Sequence, residues 1–280
     1  DCIVIMGSNM AENHPVGFQW VMEARERGAP VIHIDPRFTR TSAMATKHVG
    51  IRAGSDIAFL GGIANYILQN DLYFREYVER YTNAPVIINE DFTDTEVLDG
   101  LFSGWDPEEG QYSVESWMYD GMEIHGSAGQ REQGFKPTKG EASGHGGHGG
   151  GLHHGEPPSE DRTMQHPRCV FQLLKKHYAR YTPEFVAETC GCSVDDFVEV
   201  CETLIANSGR DRTSAFCYAV GWTQHTVGVQ MIRSAAVVQQ LLGNIGRPGG
   251  GILALRGHAS IQGSTDIPTL YNILPGYIPM

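Results

Sequence analysis

The sequence predicts an α/β fold, a parallel sheet covered by helices on both faces. Three observations carry this. Cys2–Met6 is an unbroken apolar run closed by Gly7, the pattern of a strand buried on both faces of a parallel sheet. A helical spacing and a second apolar run follow within about 35 residues, which makes a strand–helix–strand unit. The conspicuous polar and glycine-rich stretches come after strands, at Gly7–His14, Asp35–Arg40, Gly54–Asp56, Gly221–His225 and Arg256–His258. In such sheets ligands sit at the carboxyl ends of the strands, so this ordering points to a bound ligand.

Taken in order, Pro15 stands where helices accept proline, at the first helical position. Val16, Trp20, Val21 and Ala24 then recur at helical spacing until Gly28 stops the helix. Val31–Ile34 is the second strand and ends at Asp35-Pro36, and Val49–Ile51 predicts a short third one. Ser55 or Asp56 caps a helix to about Leu68, and a further helix covers roughly 71–80. Periodicity then fails over 90–165. Between Gly144 and Gly155, seven of twelve residues are Gly and four are His, a composition that cannot bury a core. This predicts a long, flexible, low-complexity Gly/His-rich insertion at about 122–162. Order resumes at Pro167 with a helix to about Tyr181, and Thr182-Pro183-Glu184 opens another. Ser193-Val194-Asp195-Asp196 has the look of a capping box for a helix to about Ala206. Thr213–Ala219 reads as a strand, Val227–Leu242 as a helix and Ile252–Leu255 as a last short strand.

The 280 residues suffice for one large domain or two small ones, and a hydrophobic share of 41% supports a core. With 21 Lys+Arg against 33 Asp+Glu the net charge is −12, which argues against a nucleic-acid footprint. No run approaches the ~18–20 apolar residues of a membrane span. The six cysteines, Cys2, Cys169, Cys190, Cys192, Cys201 and Cys217, form no CxxC, so neither a zinc ribbon nor an iron–sulfur run is readable. They read as core or surface thiols. The chain opens directly on a strand with no initiator Met and no leader, which predicts an internal piece of something longer.

Each motif has a bland reading beside the functional one. Gly7–Pro15 joins strand to helix where backbone N–H groups and the helix dipole favour a phosphate, or is an ordinary tight turn. Asn9 and Glu12 stand where a plain dinucleotide fingerprint has other residues, so that fingerprint is absent. Asp35 suits ribose hydroxyls or a guanine edge, or it closes an Asp-Pro turn; Arg37 and Arg40 beside it suit phosphate. Ala53-Gly54-Ser55-Asp56 is a helix cap at least. In Gly221-Trp222-Thr223-Gln224-His225 an amide and a stackable ring follow a strand, although Trp222 also suits the core. Arg256, between an apolar strand and Gly257, suits a small carboxylate by bidentate hydrogen bonding, or is a surface arginine. His145, His148, His153 and His154 have metal-ligand spacing, but a flexible Gly-rich tract preorganises nothing.

Taken together, His14-Pro15-Val16-Gly17, Ile34–Thr41 and Arg52–Asp56 resemble the molybdopterin oxidoreductases of the dimethyl sulfoxide reductase superfamily. Gln165–Cys169, Arg180–Pro183, Gly221–His225, Gly243–Gly246 and Leu255–Gly263 narrow the resemblance to formate dehydrogenase catalytic subunits of the respiratory or periplasmic type. It covers nearly the whole chain, in order, except the Gly/His-rich insertion. It implies a Rossmann-like, doubly wound domain over 1–257 and the truncated start of a neighbouring α/β domain at 258–280.

It further implies molybdenum or tungsten held by two molybdopterin guanine dinucleotides, a bis(molybdopterin guanine dinucleotide) cofactor. On this resemblance the Gly7–Glu12 loop meets one dinucleotide through its amides, with Asn9 and Glu12 as polar contacts. Asp35 and Arg37 hold the guanosine end, Gly54 and Asp56 complete that pocket, and Gly221 and Gln224 line the pterin side. Arg256 matches the arginine that orients formate, and His258 stands beside it where some relatives carry Gln. The implied reaction oxidises formate to carbon dioxide and passes two electrons to a [4Fe–4S] cluster of the complete subunit that this stretch does not bind.

The cysteine run for that cluster, and the selenocysteine or cysteine that ligates the metal, precede Asp1 in such relatives, so the stretch alone is expected to be inactive. Implied partners are an iron–sulfur electron-transfer subunit and a cytochrome b membrane subunit, with a periplasmic location. The rival readings are another oxidoreductase of the superfamily, such as a nitrate reductase, and a non-catalytic nucleotide- or metal-binding module built on the His tract.

Overall fold

A computed structural model describes residues 1–122, 157–255 and 257. Its elements run β1 (Cys2–Met6), α1 (Met10–Asn13), α2 (Pro15–Glu26), β2 (Val31–Ile34), α3 (Arg40–Met44), β3 (Lys47–Val49), α4 (Asp56–Gln69) and α5 (Arg75–Tyr81). Next come β4 (Trp105–Asp106), β5 (Gln111–Tyr112), a 3-10 turn at Glu115–Trp117 and α6 (Val170–Tyr178). The described residues finish with α7 (Pro183–Cys190), α8 (Val194–Ala206), β6 (Ser214–Tyr218), α9 (Val220–Thr223), α10 (Gly228–Leu241) and β7 (Gly251–Ala254). Two units result, Asp1–Arg80 with the chain from Tyr178 onward, and Tyr81–His177.

The first unit is built on a five-stranded sheet in the order β3-β2-β1-β6-β7, every neighbouring pair parallel. β1 is central, and all of its residues but Ile3 are buried, which is why it reads as a continuous apolar run. Ile3, Ile5, Val31 and Cys217 pack with Met10, Phe18 and Val21 on the side of α1 and α2. Alternation turns Val4, Met6, Ile32 and Phe216 to the opposite face. Crossovers are right-handed, so reversing the direction of travel across the sheet after β3 sends the later helices to that opposite face. There α4 packs against α7, α8 and α10.

Caps and buried polar groups fix this layer. Thr182 Oγ1 accepts from the Phe185 amide at 3.2 Å and Ser193 Oγ from the Asp196 amide at 3.0 Å, the N-caps that the sequence predicts. Ser55 departs from its predicted capping role, since its hydroxyl donates to Arg52 O at 2.6 Å. Fully buried Asn244 accepts from the Ser214 amide at 3.1 Å and donates to Gln239 Oε1 at 2.8 Å. Gln239 in turn donates to the carbonyls of Ser214 at 2.8 Å and Gly251 at 2.6 Å, joining β6, β7 and α10. Five cysteines are buried core thiols, and burial pushes Cys2 and Cys217 up to about 12.

Several predicted boundaries are corrected. The third strand lies at 47–49 and not 49–51, because an edge strand carries polar residues: Lys47 pairs with Asp196 at 2.5 Å and Glu199 at 2.7 Å on α8. The helix predicted at 71–80 begins at Arg75, and the one predicted from Pro167 to Tyr181 occupies Val170–Tyr178. α1, α3 and α9 are four or five residues long and were not predicted at all.

The second unit holds more order than its lack of periodicity predicts. β4 and β5 form an antiparallel hairpin, and Ile87 and Ile88 bridge to Cys169 and Tyr119. Within the expected insertion, Glu160 bridges to Val86. Asp161 closes a turn there: the Thr163 hydroxyl and the amides of His166, Gln165 and Thr163 hold its carboxyl down at about 2. The Gly/His tract itself lies outside the described residues.

Candidate functional site

The chain leaves β1 toward β2 and β3 on one side and reaches β6 and β7 on the other, so β1 and β6 flank a topological switch point. Loops leaving adjacent strands in opposite directions open a crevice there. A cleft of about 580 Å³ lies at this place, within the range of about 300–1,000 Å³ typical of ligand sites. Its walls are the segments that follow β1, β2, β6 and β7, together with the start of α4.

Seven of the residues singled out in the sequence line this cleft: Gly7, Asn9, Asp35, Arg37, Gly54, Asp56 and Gly221. Glu12 and Gln224 are not in its walls. Glu12 is engaged by the Asn9 amide and, at 3.4 Å, by Arg40. Gln224 is an exposed C-cap of α9 whose backbone donates to Val220 O. Arg256 and His258 lie outside the described residues, as do His145, His148, His153 and His154.

The turn after β1 is tighter than the predicted strand-to-helix link. Gly7 has φ +70°, and its carbonyl accepts from the amides of Ala219 at 3.2 Å and Gly221 at 3.1 Å. A Cβ on Gly221 would stand 2.5 Å from Gly7 O, and one on Gly7 would stand 2.7 Å from the Trp222 ring. Both glycines are therefore required by the contact between the ends of β1 and β6, before any ligand is considered. Among the loop amides, those of Glu12 and Asn13 bond Asn9 O, and that of Ala11 bonds Thr41 Oγ1 at 3.0 Å. The Thr41 hydroxyl also donates to Asn9 Oδ1 at 2.8 Å. Ser8 differs: it lines the cleft, it is 5% exposed, and its hydroxyl has no partner among the described residues. A buried hydroxyl left in that state is costly, and a polar ligand in the cleft would satisfy it.

Trp222 belongs to the core. It is fully buried, stacks on Tyr218 at 5.1 Å and donates Nε1–H to Asp56 Oδ1 at 3.1 Å. Asp56 is the first residue of α4, and burial raises its carboxyl pKa above the usual carboxylate range, while its own amide, Trp222 and His225 act in the opposite direction. Asp35 follows β2 and accepts from the Arg37 amide at 2.8 Å. Arg37 itself is exposed at the rim.

Ser8, Asn13, His14 and His225 also line the cleft; they fall within the stretches Gly7–His14 and Gly221–His225 that the sequence marks but are not singled out there. Sequence reasoning passed over His33, which sits fully buried within β2 and contacts the carbonyl of the lining residue Ser8. His33 Nδ1 meets Ser42 Oγ at 2.8 Å and Nε2 meets Ser8 O at 3.2 Å. The neutral tautomer with Nε2–H donating satisfies both contacts, with the Ser42 hydroxyl donating to Nδ1. A histidine inside an apolar strand was the available signal.

Burial pushes the His33 pKa down from 6.5, against the pull of Asp35 at 3.8 Å. The unfolded chain therefore takes up this proton first, so the stability His33 contributes is complete above about pH 6.5 and falls as the pH drops below it. Asp56, with a raised value, acts with the opposite sign at lower pH. Melting curves from pH 8 to pH 5 should show a decline in wild type that is shallower in His33→Gln. Equal slopes would remove the assignment.

The sequence profile described as molybdopterin oxidoreductase matches residues 1–273. The chain is 47% identical over 279 residues to the formate dehydrogenase-O major subunit of Escherichia coli, covering 99% of this chain and 24% of that protein. It is 44% identical over 278 residues to the formate dehydrogenase subunit alpha of Megalodesulfovibrio gigas, again 99% of this chain and 24% of the other. The chain thus spans about a quarter of the length of these curated relatives. Among solved structures, acetylene hydratase from Pelobacter acetylenicus shares the fold with a TM-score of 0.50 at 17% identity, over 86% of this chain and 21% of that one. The match over 1–273, on a five-stranded parallel sheet with its cleft at the switch point, places the chain in the molybdopterin oxidoreductase family.

Proposed function

We propose that this chain is the dinucleotide-binding part of a molybdenum- or tungsten-dependent formate dehydrogenase, and that its cleft takes one of two molybdopterin guanine dinucleotides. The observation that carries the reading is the 44–47% identity to formate dehydrogenase subunits across 99% of the chain. The unpartnered Ser8 hydroxyl in the cleft wall fits a polar ligand. A bound metal–pterin group would supply a two-electron acceptor for the oxidation of formate to carbon dioxide.

The chain's own residues bind and position. Asp35 and Asp56 present carboxylates to ribose and base donors, Arg37 offers its guanidinium to phosphate, and Asn9 is held in place by Thr41. Gly7, Gly54 and Gly221 bring backbone to the cleft wall. Arg256 supplies a fixed positive charge for the formate carboxylate, with His258 beside it. In this reading the complete subunit binds a [4Fe–4S] cluster and passes the electrons to an iron–sulfur subunit and a cytochrome b membrane subunit at the periplasmic face. The domain spans 1–257, and a neighbouring α/β domain begins at 258.

In the complete subunit, Arg256→Ala should lower kcat/KM for formate by about 10²-fold or more, while metal content stays near normal. Unchanged formate kinetics would overturn the assignment.

A further inference from the structure

Residues 81–122 contain ten Asp and Glu and no Lys, Arg or His, so this short stretch carries most of the chain's net −12. The second unit also has a cavity of its own, about 550 Å³, among Phe92, Phe102, Trp117, Leu173 and Leu174. α6 turns Val170, Leu173, Leu174 and His177 into it at helical spacing, so Lys175 and Lys176 fall on other faces of that helix. Phe102 and Trp117 are 59% and 46% exposed, and their rings meet edge-on at 6.4 Å. Asp94 stands in the cavity wall, and its carboxylate lies within 4.8 Å of Glu96 and His177. His177 and Glu96 pair at 3.2 Å, and Asp94 adds a second carboxylate beside them.

The geometry points to a docking surface for a separate, positively charged protein that seats one apolar side chain in this cavity. Two independent features agree on that occupant. An apolar socket with exposed aromatic rims is an anchor site, since a few buried side chains carry most of the affinity of an interface. Arg168 meets this stretch at the Ile88 and Asn89 carbonyls, but ten acids outnumber it, and such an excess of one sign repels copies of itself and steers a partner of the opposite sign. A permanent interface would look different, because charged residues are depleted from its core. The surface thus suits an encounter that forms and dissolves, with the acids keeping the aromatics in solution between encounters. The inference does not rest on the cofactor reading.

The test uses the full chain and a fluorescently labelled lysine-rich peptide with one central tryptophan, followed by anisotropy. Binding should weaken steeply between about 50 and 200 mM salt. Phe102→Ala should weaken it by about fivefold or more with the salt dependence retained. The double substitution Asp94→Asn and Glu96→Gln should flatten the salt dependence. Three outcomes would overturn the proposal: equal binding by Phe102→Ala, equal binding of a peptide with alanine in place of tryptophan, or equal binding of a peptide with glutamine in place of every lysine. A tenfold gain on deleting residues 144–155 would overturn it too, by making the chain's own tract the occupant.

Discussion

Asn244→Ala is expected to lower the unfolding free energy by about 2–4 kcal/mol, an effect far above that of an ordinary surface substitution. The side chain is fully buried and makes three hydrogen bonds: from the Ser214 amide, and to Gln239 Oε1 and Ser208 Oγ. Alanine removes all three at once. The Ser214 amide then lies buried without an acceptor, and Gln239 loses the group that orients it toward the Ser214 and Gly251 carbonyls. Each buried group left unsatisfied costs about 1–3 kcal/mol, which sets the range. Urea denaturation measures it. Asn244→Asp should be damaging as well, since the acceptor toward Ser214 survives while the donor to Gln239 is lost. A midpoint within error of wild type for Asn244→Ala would show that the network contributes little.

Gly221→Val is expected to be at least as harmful, by about 3 kcal/mol or more, because the new Cβ meets backbone that cannot swing aside. It would stand 2.5 Å from Gly7 O and 2.7 Å from Gly7 C and Cα. Relief requires separating the ends of β1 and β6, which breaks the bonds from the Ala219 and Gly221 amides to Gly7 O and deforms the cleft floor. Gly50→Ala is the control: its Cβ would come no nearer than 3.9 Å to any atom, and it should stay within about 0.5 kcal/mol of wild type. Equal melting temperatures for the two variants would refute the contact as the reason for glycine at 221.

The central strands were readable because burial on both faces leaves an apolar run, as in Cys2–Met6 and Val31–Ile34. β3 was misplaced because two of its three residues are polar, Lys47 being held by ion pairs to α8. α1, α3 and α9 span about one turn each, too short for any periodic signal. The cleft lining was legible to the extent that position after a strand decides it, which brings Gly7, Asp35, Gly54 and Gly221 to its walls. Sequence position does not reveal which way a side chain turns. Glu12 turns to Asn9 and Arg40, and Gln224 to solvent, while Trp222, readable as a stacking ring, is committed to the core. Ser8 and His33 depend on each other across 25 residues, a coupling that no local pattern carries.

The pairing of β1 with β6 joins residues 212 positions apart, as in the contact of the Asp1 amino group with Thr213 O. Chain-closure entropy grows only with the logarithm of the loop. Carrying the whole Tyr81–His177 unit inside that loop therefore costs the sheet only about 0.5 kcal/mol relative to a direct connection. That price is small enough for the connection between β3 and β6 to vary widely in length while the cleft at the end of β1 keeps its shape.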